Sequence, residues 1–75
     1  MGTINRNYYV YQCHMSGKET LYKSGLTDLE ANRAWDELDN MIANGGCGDG
    51  CAIIGSLDEK SDIFVAKRLG LIQAK

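Results

Sequence analysis

The side chains most able to do chemistry in this chain are three cysteines and one histidine. Cys13, His14, Cys47 and Cys51 are of the types that hold zinc in a tetrahedron. Their spacing argues against a shared ion. The C-x3-C interval from Cys47 to Cys51 is unusual for a zinc knuckle, and the other two ligands are sequence neighbours. In a strand, adjacent side chains project to opposite faces, so Cys13 and His14 would part. The expectation is therefore no metal and no cofactor, with a three-thiol zinc module of Cys13, Cys47 and Cys51 as the alternative. Cys13 reads better as a small buried hydrophobe.

The stretch "NGGCGDGC", residues 44–51, packs four glycines, two cysteines and an aspartate between two apolar runs. A bridge across Gly48-Asp49-Gly50 would leave an odd thiol, and reactive thiols favour positive surroundings. Arg33 is the only basic residue from Thr27 to Glu59. A phosphate cradle lacks the G-x-x-x-x-G-K-[ST] pattern, and the loop follows a helix instead of opening one. A calcium loop needs several oxygen ligands, and only Asp49 is at hand. The segment is read as a connector whose glycines let the chain turn.

No acid–base or nucleophilic constellation accompanies these residues, so a non-enzymatic protein is expected. His14 is expected at the surface beside Glu19. Tyr8, Tyr9, Tyr11 and Tyr22 lie near Lys18 and Lys23, as base-stacking platforms do, but no RNA-recognition signature accompanies them. They are read as sheet packing, and nucleic acid is not the expected partner.

Hydrophobic patterning sets the strands and helices that carry these side chains. "NYYVYQCHM" reads as a strand and "KETLYKSG" as its hairpin partner. A two-residue loop of Ser16 and Gly17 would set Met15 against Lys18, Tyr11 against Tyr22, and Val10 against Lys23. The Tyr9/Tyr11/Cys13 face then forms the core side, leaving Tyr8, Val10 and Leu21 on an outer face. Thr27-Asp28-Leu29-Glu30 is a capping box, with Leu26 and Ala31 placed for a hydrophobic staple. Ala31, Ala34, Trp35, Leu38, Met41 and Ile42 form one buried helical stripe, with Trp35 the expected mainstay of the core. Asn44-Gly45-Gly46 ends that helix, at about residues 27–44.

"CAIIGSL" reads as a covered strand. A second capping box at Ser56–Glu59 and the Leu69-Gly70-Leu71 stop predict a final helix over 57–69, despite the β-favouring Ile63-Phe64-Val65. The whole, residues 1–75, is one small two-layer α+β domain of order ββαβα, with ββαββ as the alternative and an antiparallel sheet packed by the first helix. At this length a single core leaves a margin of roughly 3–5 kcal/mol.

Apolar residues make up 44% and charged residues 24%, which excludes a disordered chain. No run approaches the roughly 20 apolar residues a bilayer span needs, and "MGTINRNYYV" lacks a signal-peptide centre. A cytoplasmic protein without a membrane partner is expected. The net charge of −2 conceals a division: about −7 from Thr27 to Glu59 and about +5 on the flanks. An acidic helix exterior (Asp28, Asp36, Glu37 and Asp39) and the outer sheet face (Tyr8, Val10 and Leu21) are the candidate partner-binding surfaces. The reading is a small interaction module, an accessory or inhibitory protein of phage or bacterial type, that binds a larger protein with a basic surface. A self-associating structural domain, with a second copy as partner, is the other alternative.

Overall fold

The computed structural model describes residues 6–45 and 50–72. Its elements are β1 (Tyr8–Cys13), β2 (Glu19–Leu26), α1 (Asp28–Ala43), β3 (Cys51–Ser56) and α2 (Lys60–Arg68). The order is ββαβα, as the patterning predicts. The three strands form one antiparallel sheet in the order β2-β1-β3, with β1 at its centre.

The hairpin turns on three residues, not two. His14 N–H donates to the Lys18 carbonyl at 2.8 Å, and its own carbonyl accepts from Gly17 N–H at 2.9 Å. Gly17 has φ +93, the left-handed residue that completes a three-residue loop. The added loop residue moves the register, so Tyr11 faces Leu21 and not Tyr22, and Cys13 faces Glu19. Two irregularities further along β2 restore Val10 opposite Lys23 and bring Tyr8 opposite Leu26. Such bulges bend and twist an edge strand, which discourages further pairing.

α1 begins where its sequence signature says. Thr27 Oγ1 accepts from Glu30 N–H at 3.2 Å, and Glu30 Oε1 accepts from Thr27 N–H at 3.0 Å. α2 starts later than the Ser56–Glu59 box implies. Its N-cap is Glu59, which makes no side-chain cap bond, while Ser56 Oγ accepts from Asp58 N–H at 3.2 Å. The predicted stop is present: Leu71 N–H reaches Ala66 O at 2.9 Å and Gly70 N–H reaches Lys67 O at 3.1 Å. That pair of bonds is a Schellman closure.

The sheet is covered on both faces, which adds a third layer to the two expected. α1 packs Ala31, Ala34 and Leu38 against Val10 and Ala52, flanked by Tyr8, Tyr22, Leu26, Met41, Ile42 and Ile54. α2 packs Ala66 against Tyr9 and Tyr11, flanked by Leu21, Ile53, Leu57, Val65, Leu69, Leu71 and Ile72. Alternation along β1 sends Val10 to one core and Tyr9 and Tyr11 to the other. Both sets are apolar, so both need cover. Tyr9, Leu38 and Val10 are the largest fully buried side chains. Trp35 is not the core mainstay. It is 36% exposed at the rim of α1, where Nε1 donates to Ala52 O at 2.8 Å.

Tyr9 is fixed at both ends. Its ring lies over Gly55, and its hydroxyl donates to the Asp62 carbonyl at 2.6 Å. Burial, and secondarily Asp62, pushes the phenol up to about 12 from 10.0. Tyr11 is raised as well, by burial first and then by Glu19. An unfolded phenol ionises near 10 and the folded Tyr9 only near 12, so the folded state favours the neutral form. The contribution of Tyr9 is complete below pH 10 and is lost as pH rises through about 12. Thermal unfolding followed from pH 9 to 12 should show a falling midpoint over that window. Tyr9→Phe should flatten the fall, and an unchanged profile would show that the phenol is not a stability determinant.

Candidate interaction surface

The acidic exterior of α1 divides into two groups once its neighbours are in place. Glu30 is held at the surface by the capping bond and by Arg6 Nη1 at 2.8 Å. Its carboxyl sits below the ordinary range, chiefly because of the Thr27 N–H. Glu37 turns towards β2, accepting from the Tyr22 hydroxyl at 3.0 Å and approaching Lys23 Nζ at 3.4 Å. The Tyr22 bond, followed by Lys23, lowers its pKa. These contacts commit both glutamates to joining α1 to the rest of the domain.

The aspartates are placed differently. Asp28, Asp36 and Asp39 follow one another at helical spacing on the side of α1 away from the sheet. Asp28 and Asp36 are exposed, and Asp39 is half-buried. Asp28 accepts from Asn32 Nδ2 at 3.1 Å, a neutral partner that leaves its charge intact. Among the described residues none forms an ion pair with Asp28, Asp36 or Asp39. Leu29, 63% exposed, and the Trp35 edge give this stripe apolar neighbours. A shallow groove of about 220 Å³ opens beside it, lined by Lys23, Leu26, Glu30, Arg33, Ala34 and Glu37. Of the four predicted acids, three form an open stripe and Glu37 belongs to the groove wall.

The outer sheet face of Tyr8, Val10 and Leu21 does not exist as a surface. Val10 has no exposure and lies under α1, because that face of β1 carries a second apolar set that water would penalise. Tyr8 packs beside Val10, whereas Leu21 packs with Tyr9 and Tyr11 on the opposite side. The register shift separates them.

The sheet edge at β3 is also partly closed. Leu57 N–H donates to Asn7 O at 2.8 Å, so Gly55, Ile53 and Cys51 bond inward to β1 while Ala52, Ile54 and Ser56 present their backbone groups outward. Trp35 Nε1 occupies the Ala52 carbonyl, and Asp62 Oδ2 accepts from Ser56 N–H at 3.0 Å. Two of the three outward positions thus carry a side-chain partner. The other edge, β2, is anchored to α2 by Arg68, whose Nε and Nη2 each reach a Glu19 carboxylate oxygen at 2.9 Å. That fork lowers the Glu19 pKa and raises that of Arg68. Neither Asp62 nor Arg68 stands out in the sequence, because each meets its partner only after the chain folds.

The thiol set is only partly placed. Cys13 is half-buried, Cys51 is exposed, and both are free. Cys47, the third member of the alternative zinc set, lies outside the described residues. The described residues hold no group of three metal-ligating side chains. His14 Nε2 lies 3.0 Å from Thr20 Oγ1 across the hairpin and not beside Glu19, another result of the three-residue loop. No helix among the described residues is long and apolar enough to cross a membrane. Compared with known proteins, the chain matches no family model, no curated protein and no solved structure.

Proposed function

We propose that this protein is a small non-enzymatic binding module that docks the exterior of α1 onto a basic surface of a larger protein, as an accessory or inhibitory factor would. The observation that carries this reading is the stripe of Asp28, Asp36 and Asp39, unpaired with any described cation and bordered by Leu29 and Trp35. Charges left without internal partners contribute little to folding, yet they steer and register a complementary partner. The exposed leucine and indole edge supply the apolar anchor that a charged rim alone lacks. A cytoplasmic setting, which keeps thiols reduced, suits a chain whose described cysteines are free.

The test is comparative capture of binding partners from native cell extract, followed by affinity measurement on the recovered protein. Asp28→Asn, Asp36→Asn and Asp39→Asn combined should weaken binding roughly tenfold at low salt. Added salt should weaken the unaltered protein by a similar factor. A Leu29→Ala variant should raise the dissociation rate. Undiminished, salt-independent binding by the triple variant would overturn the proposal.

A further inference from the structure

The sheet brings together two thiols that lie far apart in sequence. Cys13 and Cys51 are direct partners in the β1·β3 ladder, at its last rung. The rung is of the hydrogen-bonded kind, by its even spacing from the Leu57–Asn7 bond. Cα atoms in such a pair stand about 5.5 Å apart, inside the roughly 4.4–6.8 Å that a disulfide spans. Both side chains project to the same face of the sheet, since directly opposed residues do. This is the α2 face, where Cys13 packs at the margin of the Tyr9–Tyr11–Ala66 core.

The preceding residue keeps the rung closed. Gly50 has φ +94, and a side chain there would overlap the Cys13 carbonyl. The chain entering β3 therefore lies hard against the backbone of residues 13 and 14. Access differs between the two sulfurs, because Cys51 is exposed and Cys13 only half so.

We propose that Cys13 and Cys51 are a redox modification site, joined as a reversible disulfide by hydroperoxides. The exposed Cys51 thiol attacks hydrogen peroxide, giving a sulfenic acid and releasing one water. Cys13 sulfur then attacks Cys51 sulfur; the S–O bond breaks, and the oxygen leaves as a second water with the Cys13 proton. Two thiols lose two electrons and two protons, and the peroxide O–O bond is reduced to two waters. Thiol exchange with dithiothreitol reverses the bridge. The bridge ties the centre of the sheet to its β3 edge and encloses the hairpin turn, β2 and α1.

The experiment uses the full chain carrying Cys47→Ser, which leaves Cys13 and Cys51 as its only thiols. After hydrogen peroxide, the monomer should lose two mass units. Tryptic peptides bearing residues 7–18 and 34–60 should be joined, and dithiothreitol should restore both. The melting temperature of the oxidised monomer should rise by roughly 10 °C. Adding Cys51→Ser should abolish the mass loss. Fragmentation mapping of the oxidised wild-type chain gives a second reading that needs no variant. An unchanged intramolecular mass, linkage only between copies, or a wild-type bridge confined to Cys47 and Cys51 would overturn the proposal.

Discussion

Gly55→Ala is expected to remove most of this domain's stability, about 2–4 kcal/mol. The new methyl group would fall inside the Tyr9 ring, which occupies the space over Gly55 on the α2 face of the sheet. The ring has little freedom to move aside. It is almost completely buried and is anchored at its far end by the bond to the Asp62 carbonyl. Asp62 in turn holds Ser56 N–H with its side chain, so displacing Tyr9 disturbs the β3–α2 connection as well. Overpacking of this kind costs about 1–3 kcal/mol, and a lost hydroxyl bond adds about 1 kcal/mol. The total approaches the margin of roughly 3–5 kcal/mol available to a domain of this size. Circular dichroism through a urea titration would measure the loss. Pairing Gly55→Ala with Tyr9→Leu, which removes the obstructing ring, should cost less than the two changes added together. Strict additivity would show that the glycine is needed for some other reason.

Leu38→Ala is expected to be the most damaging change on α1, at about 2–5 kcal/mol. Leu38 is 1% exposed, and its loss would leave a cavity among Val10, Ala31, Ala34 and Ala52. These neighbours are mostly small and cannot close the space. Trp35→Phe provides the contrast. The indole is partly exposed and contributes one bond to a sheet-edge carbonyl, so its loss should cost about 1 kcal/mol. Chemical denaturation of both variants under one set of conditions would rank them. If Trp35→Phe proved the costlier, the assignment of the core to Leu38 would fail.

How much of this was legible in the sequence depended on how local the determining contact is. The start of α1 was legible because Thr27 and Glu30 satisfy each other's backbone within one turn. The end of α2 was legible for the same reason, since Leu69, Gly70 and Leu71 close on their own helix. Hairpin register was not, because Ser16-Gly17 suits a two-residue loop and the last two positions of a three-residue loop equally. The burial of Val10 was missed because an alternating strand is usually assigned one wet face. In β1 the Val10 set and the Tyr9–Tyr11 set are both apolar, and only the placement of two helices decides their fate. The acids of α1 could be put on its exterior from periodicity. Which of them remain open could not, because Arg6, Tyr22 and Lys23 approach Glu30 and Glu37 from other elements.

The placement of β1 between two helices has a consequence for how the chain comes apart. β3 sends Ala52 and Ile54 to one helix and Ile53 to the other, and β1 divides its side chains in the same way. No segment can therefore detach and leave a finished remainder. Removing β3 opens both apolar layers at once, and removing β1 leaves no sheet. Such an arrangement ties local fraying to global melting, so the slowest-exchanging amides should belong to the middle strand and exchange only when the entire molecule opens.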